Sequence, residues 1–261
     1  MKIKRSAAVA AGVLLVAVQL QTPAHAATTV AKLACTKAGV IASAAAVMGA
    51  NTQTHALASD YTWSASDVQN ITLKSTITIT KAGTYRLKGT MTNGQVIVNV
   101  IGNGVVRLIL AGANITSTKG AAILVKAAPK VVIVAQAGTK NSLADAKTRL
   151  KGDTASAAAL YSKASLTLAG TGALTVNGRF ADGIAGTDGV VITGGVITVN
   201  AKDDGIRGKD YVYISGGTIS ITATGDGIRS AGTKASTVGY VYVGGGTIDI
   251  TSKSDGIQGM S

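Results

Sequence analysis

The chain has little of what usually cross-links an exported fold or runs acid–base chemistry. One cysteine, Cys35, excludes an internal disulfide and leaves packing to hold the structure. Glutamate is absent, so all 12 acidic residues are aspartates, and the two histidines, His25 and His55, both precede the repeating body and leave it no histidine base. Prolines number two, and aromatic residues, one phenylalanine, one tryptophan and seven tyrosines, make up only 3% of the chain. Small and β-branched residues stacked in columns are the remaining way to fill an interior, and low helix content follows.

What is present is a repeat. Asp182-Gly183-Ile184-Ala185-Gly186 recurs as Asp204-Gly205-Ile206-Arg207-Gly208, Asp226-Gly227-Ile228-Arg229-Ser230 and Asp255-Gly256-Ile257-Gln258-Gly259. The first two intervals are 22 residues and the third is 29, one period plus an insertion near 231–237. A second phrase keeps step: Gly194-Gly195-Val196-Ile197, Gly216-Gly217-Thr218-Ile219 and Gly245-Gly246-Thr247-Ile248. A fixed period of this size marks a solenoid. Short alternating runs of Val, Ile and Thr, bounded by Gly-Gly or Asp-Gly, give three short strands per period. Such a coil buries its inward residues only by stacking on the next. The reading is all-β: a parallel β-helix of about 22 residues per coil with three parallel sheets. Its inward columns are Val190/Val212/Val241, Ile192/Ile214/Val243 and Ile197/Ile219/Ile248.

The start carries an address. Met1-Lys2-Ile3-Lys4-Arg5, an apolar run from Ala7 to Leu20 and Ala24-His25-Ala26 together make a secretory signal peptide over residues 1–26. The run is shorter than the roughly 20 residues of a spanning helix, and no second span is visible. Lys32-Leu33-Ala34 lacks the apolar residue that lipidation of Cys35 would want. Residues 27–59 read as a flexible Ala/Thr-rich leader and 60–261 as the β-helix, placing the protein outside the cell or on its surface.

Charge is uneven. Residues 27–181 hold 16 Lys and Arg against four Asp, whereas 182–261 hold six against eight. A basic exported surface suits polyanions such as acidic polysaccharide, or serves solubility alone. Nucleic acid is not expected, since no aromatics interleave with the basic residues.

Before the strict period, runs from Ile71 to Leu110 read as irregular capping coils. Ile123 and Leu160 then correspond to Ile184, their gap of 37 being filled by a loop at about 141–154 that could carry a site.

Stacked coils put Asp182, Asp204, Asp226 and Asp255 in one column at about 4.8 Å spacing. Like charges that close need a counter-ion, and with Asp203 they offer the hard oxygens that calcium prefers. The competing reading is a plain turn, each carboxylate bonding its own backbone and each Gly taking positive φ, with Arg207 and Arg229 as counter-charges. A second column, Tyr211 and Tyr213 over Tyr240 and Tyr242, points outward by alternation. Beside Arg207 and Arg229 it could receive pyranose rings and their carboxylates, or simply stabilise a sheet face. No catalytic residue stands out; a lyase on this frame would need Arg207 or Arg229 as its base.

The run from Trp63 through Ile77-Thr78-Ile79-Thr80-Lys81-Ala82-Gly83-Thr84-Tyr85, Val105 to Thr116, Gly120-Ala121-Ala122-Ile123, Asn141-Ser142-Leu143, Leu160-Tyr161-Ser162-Lys163 and the Asp-Gly-Ile coils resembles a bacterial secreted family of carbohydrate-binding domain-containing proteins. The resemblance covers roughly 60–261 and implies a right-handed parallel β-helix related in shape to pectate lyases, binding of cellulose and of acidic sugars such as polygalacturonate, bound calcium and no demonstrated lyase activity. The expectation is a non-catalytic, calcium-assisted polysaccharide-binding protein, with a pectate-type lyase or a structural surface solenoid as alternatives.

Overall fold

The computed structural model describes residues 4–10, 13–19, 55–148, 157–232 and 238–259. Cys35, most of the 27–59 leader, residues 149–154 of the expected loop, residues 233–237 of the insertion, and residues 260–261 lie outside the described residues.

Apart from two 3₁₀ turns, Ala58–Tyr61 and Ala65–Asp67, the described elements are strands. Period-2 alternation of β-branched residues leaves each strand one inward set to bury, and parallel stacking buries it against the same set one coil on. Val190 pairs with Val212 and Val212 with Val241; Ile197 pairs with Ile219 and Ile219 with Ile248. All of these are buried, as are Ile192, Ile214 and Val243. Each such side chain contributes about 1.5–3 kcal/mol by leaving water. The three inward columns stand as read from the alternation.

Three faces surround this core, but by hydrogen bonding they belong to two sheets. The first face stacks Lys130–Ala135, Ser165–Gly170, Val190–Ile192, Tyr211–Ile214 and Tyr240–Val243. The second stacks Lys140–Ala144, Ala173–Gly178, Val196–Ala201, Thr218–Ala223 and Thr247–Ser252. The long strand Val105–Thr116 joins them, pairing with Lys130–Ala135 through its first half and with Lys140–Ala144 through its second. Gly112 sits between the halves at φ 83°, a left-handed value that lets the strand turn the corner. In later coils a Gly-Gly makes that corner, and Gly195, Gly217 and Gly246 take φ near 100°, 99° and 91°. Three separate sheets were expected; one long bent strand merges two of them.

The third face is an independent sheet of eight strands from Ile77–Ile79 to Ile257–Gly259, and it contains the Asp-Gly-Ile phrase. Ile123, Leu160, Ile184, Ile206, Ile228 and Ile257 form its inward column, so the correspondence across the 37-residue gap holds. The loop expected at 141–154 starts later, because Asn141-Ser142-Leu143 alternates and pairs as a strand with Leu174 to Val176.

Where a signal peptide is expected, Lys4–Ala10 and Val13–Gln19 form an antiparallel pair, and Ala7 and Ala8 lie opposite Val243 and Tyr242. The pair extends the first face beyond Tyr240–Val243. Among the described residues no helix is long and apolar enough to cross a membrane.

Candidate functional site

The Asp-Gly turns carry one site. Asp204 donates its backbone N–H to Asp182 Oδ1 at 3.3 Å, Asp226 to Asp204 Oδ1 at 2.9 Å and Asp255 to Asp226 Oδ1 at 3.0 Å. Each carboxylate therefore bonds the next coil, not its own backbone as the turn reading had it. The glycines of Asp-Gly are not at positive φ either. A Cβ on Gly183 would lie 2.7 Å from the Gly205 carbonyl oxygen and 2.2 Å from Val199 Cγ1; what excludes a side chain is the close approach of coils, not backbone hand.

The second oxygen of each carboxylate takes a cation. Arg207 donates from Nε and Nη2 to Asp182 Oδ2 at 2.8 and 2.6 Å, and reaches Asp204 Oδ2 at 3.9 Å. Arg229 repeats the arrangement on Asp204 at 3.5 Å and Asp226 at 3.8 Å. In the last coil Gln258 replaces the arginine and donates to Asp255. Burial pushes the Asp182 carboxyl up to about 6 despite Arg207, with Asp204 and Asp203 adding to the rise. For Arg207 burial works downward, but the charge and hydrogen bonds of Asp182 outweigh it and hold the guanidinium above its ordinary value.

Of the five aspartates expected to hold a metal, Asp182, Asp203 and Asp204 come together, each with an oxygen within 4.8 Å of the others'. Asp203 is exposed and the other two are buried. Asp226 and Asp255 continue the column away from this cluster, occupied by Arg229 and Gln258. Three carboxylates fit a hard divalent cation; such an ion would compete with Arg207 for Asp182 Oδ2.

The tyrosines form the second site, on the first face. Tyr211 stacks on Tyr240 at 5.4 Å between ring centroids and Tyr213 on Tyr242 at 4.9 Å. All four were expected to point outward into solvent. Tyr213 and Tyr242 are half-buried, but Tyr211 and Tyr240 retain 3% and 2% of their exposure. Tyr211 folds across the preceding coil, where a Cβ on Gly189 would fall 2.0 Å from its ring. Burial, then Asp188 and Asp210, push its hydroxyl up to about 12.

The cover is the end of the expected leader. His55 stacks on Tyr213 at 4.5 Å, meets Tyr211 edge-on at 4.6 Å and shares a 2.5 Å hydrogen bond with the Tyr240 hydroxyl. Its segment is pinned from the sheet: Arg107 donates to the carbonyls of Asp60 and Ser59, and Lys130 reaches Asp60 Oδ2 and the His55 carbonyl. The packed region thus begins before residue 60, and a histidine does lie against the body. Nothing in the period signals it, because 55–61 stands outside the repeat; Arg107 and Lys130 on outward strand positions were the legible half of the contact.

Arg207 and Arg229 belong to the third face and not to the tyrosine face. Their column runs Leu124, Tyr161, Ala185, Arg207, Arg229, Gln258. The sugar-binding set expected from sequence therefore separates into two faces of the solenoid. Within the 141–154 loop, buried Asp145 accepts the Arg179 backbone N–H at 2.5 Å, a structural contact.

A family model for carbohydrate-binding domain-containing proteins matches residues 74–261. A carbohydrate-binding domain-containing protein of Acetivibrio thermocellus is 41% identical over 128 residues, 48% of this chain and 45% of that protein, so the match spans under half of the relative's length. Among solved structures, the polysaccharide lyase-like protein from C. thermocellum, as a gadolinium derivative, superposes with a TM-score of 0.69 at 31% identity, over 73% of this chain and 93% of that one.

Proposed function

The chain belongs to the carbohydrate-binding domain-containing protein family, and on that premise we propose that it is a secreted, non-catalytic polysaccharide-binding solenoid, right-handed as parallel crossovers nearly always are, with about 22 residues per coil. The observation that carries the choice of site is the paired tyrosine stack, in which Tyr213 and Tyr242 keep part of their surface in solvent. A tyrosine ring face suits one sugar ring, and phenol hydroxyls set one coil apart suit the hydroxyls of neighbouring sugars in one polymer chain. The preferred substrate class is acidic polysaccharide, with cellulose the neutral alternative, because the first part of the chain is strongly basic. Asp182, Asp203 and Asp204 would hold calcium, which would supply a positive site for sugar carboxylates on the turn face, a second contact apart from the tyrosines. Secretion follows from the basic, apolar and small-residue order of residues 1–26.

The resemblance to a lyase-like structure keeps a lytic reading in view. Against it, Arg207 is held charged by Asp182, and a base has to be neutral before it can take a proton. Both oxygens of Asp182 already accept protein N–H groups. Calorimetric titration with polygalacturonate in calcium and in chelator, with ultraviolet absorbance followed for unsaturated ends, separates the readings. Saturable heat that chelator abolishes, at flat absorbance, is expected; rising absorbance makes the protein an enzyme, and absence of heat in both conditions removes acidic sugar as the ligand.

A further inference from the structure

The stacked tyrosines are a binding surface whose best face is already taken. Two rings lie on Tyr213, Tyr242 at 4.9 Å and His55 at 4.5 Å, which leaves neither of its faces open. Tyr242 is the next member of the sheet column, whereas His55 enters from outside the repeat; on the other side of Tyr213 the column continues with Val191, which has no ring to extend the stack. The imidazole also takes up the Tyr240 hydroxyl and meets the edge of Tyr211. A flat ring with polar atoms at its edge, stacked on a tyrosine and bonding a neighbouring hydroxyl, is the set of contacts a bound pyranose would make.

We infer that residues 55–61 form a strap that occupies the sugar-stacking site, His55 standing where a sugar ring binds, and that polysaccharide engages the tyrosine face by displacing it. The inference rests on the tyrosine face being the sugar site. The way the strap is held fits displacement. Among the described residues, its main-chain hydrogen bond is internal, Asp60 N–H to Leu57 C=O, so leaving breaks no sheet ladder. Leu57 within it is 49% exposed. Among the described residues, its attachment is made by side chains: the Lys130 and Arg107 contacts, the ring stack, the His55–Tyr240 hydrogen bond and the bond that the Tyr61 hydroxyl donates to Thr193 Oγ1 at 3.3 Å. Release also uncovers those two cations on the face the polymer approaches, which favours an anionic chain over a neutral one. Binding and release are then linked: ligand affinity is lowered by the fraction of molecules in which the site is closed.

The test titrates the full chain with two probes, polygalacturonate and cellohexaose. His55→Ala and Asp60→Ala loosen the strap from different ends and leave Lys130, Arg107 and the tyrosines in place, so misfolding of one leaves the other as readout. A strap closed in nine of ten molecules lowers affinity about tenfold, and both variants are expected to recover that factor. Adding Tyr213→Ala to His55→Ala is expected to abolish the gain. If both variants bind as the parent does while Tyr213→Ala weakens binding, the site is open and the strap idea is wrong although the tyrosine reading stands. If Tyr213→Ala leaves binding unchanged, or neither probe binds any chain, the tyrosine reading fails and the strap fails with it.

Discussion

Arg207 places two N–H groups, at 2.8 and 2.6 Å, on one oxygen of Asp182, a residue 25 positions earlier and one coil below it. The pair spans the joint between coils, so it holds the repeat together at the point where neighbouring carboxylates would otherwise repel. Arg207→Ala leaves the buried Asp182 carboxylate without its cation. Chemical denaturation is expected to show a loss on the order of 2–4 kcal/mol, below the range for fully buried pairs because the guanidinium side chain is 32% exposed. A loss under about 0.5 kcal/mol would mean that the pair is ornamental.

Acid titration should show the same group from the other side. The Asp182 carboxyl is raised from 3.8 to about 6 in the fold, chiefly by burial. A raised value means that its contribution to stability is complete below 3.8 and is lost as pH climbs through about 6. Unfolding free energy of the parent minus that of Asp182→Asn, followed from pH 3 to 8, is expected to fall by roughly 3 kcal/mol across that window. A flat difference would put the carboxyl at its ordinary value.

Two glycines separate steric from conformational need. Gly205→Ala brings a Cβ to 2.4 Å from Ile221 Cγ2 and 2.5 Å from the Gly227 carbonyl oxygen, both in the stacked body. Gly195→Ala meets atoms no closer than 3.5 Å but forces φ of 100° on a residue with a side chain. The first is expected to cost about 2–3 kcal/mol by overpacking and the second about 1–2 kcal/mol by backbone strain. Melting of the two variants side by side checks the order, and the reverse order would contradict it.

Ile219 lies inward between Ile197 and Ile248 and is 1% exposed. Ile219→Ala opens a cavity between three coils and is expected to cost about 2–5 kcal/mol. Because each coil touches chiefly its neighbours, hydrogen exchange should speed up first in the flanking strands Val196–Ala201 and Thr247–Ser252. Uniform acceleration along the whole solenoid would argue for one cooperative unit.

Burial, and then the charge of Lys130, hold the His55 imidazole below its ordinary 6.5. A depressed value means that the strap's packing is complete above 6.5 and is lost as pH falls through the lower folded value. Among the described residues, the titratable groups that face the ring include Lys130, Asp60 bonded to that lysine, the Tyr240 hydroxyl and the rings of Tyr211 and Tyr213, the pKa values of the three tyrosines all being raised by burial. Limited proteolysis at 55–61 is expected to accelerate as pH falls below 6.5 in the parent and to be fast at every pH in His55→Ala. Cleavage independent of pH in the parent would remove the histidine from that role.

Much of the fold was legible because a solenoid repeats one physical problem in each coil. Alternation told which valines and isoleucines face inward, and the period told which of them touch; Val190, Val212 and Val241 needed nothing more. The aspartate column was legible for the same reason. Its chemistry was not: the same Asp-Gly could be a turn, a metal ligand or an inter-coil clasp, and the choice depends on which atom lies 3 Å away. Alternation also misjudged Tyr211 and Tyr240, since pointing away from the core does not mean meeting solvent when a segment from elsewhere lies on top.

From sequence alone came the strand periodicity, the stacking partners, the inward columns, the charge asymmetry and the family resemblance, all properties that depend on residues a fixed distance apart. Tertiary structure alone decided that Arg207 and Arg229 work on a different face from the tyrosines, that Gly112 in Val105–Thr116 folds two faces into one sheet, and that His55 closes the aromatic stack. Those contacts join residues with no regular separation, and a periodic pattern holds no information about where a non-repeating segment comes to rest.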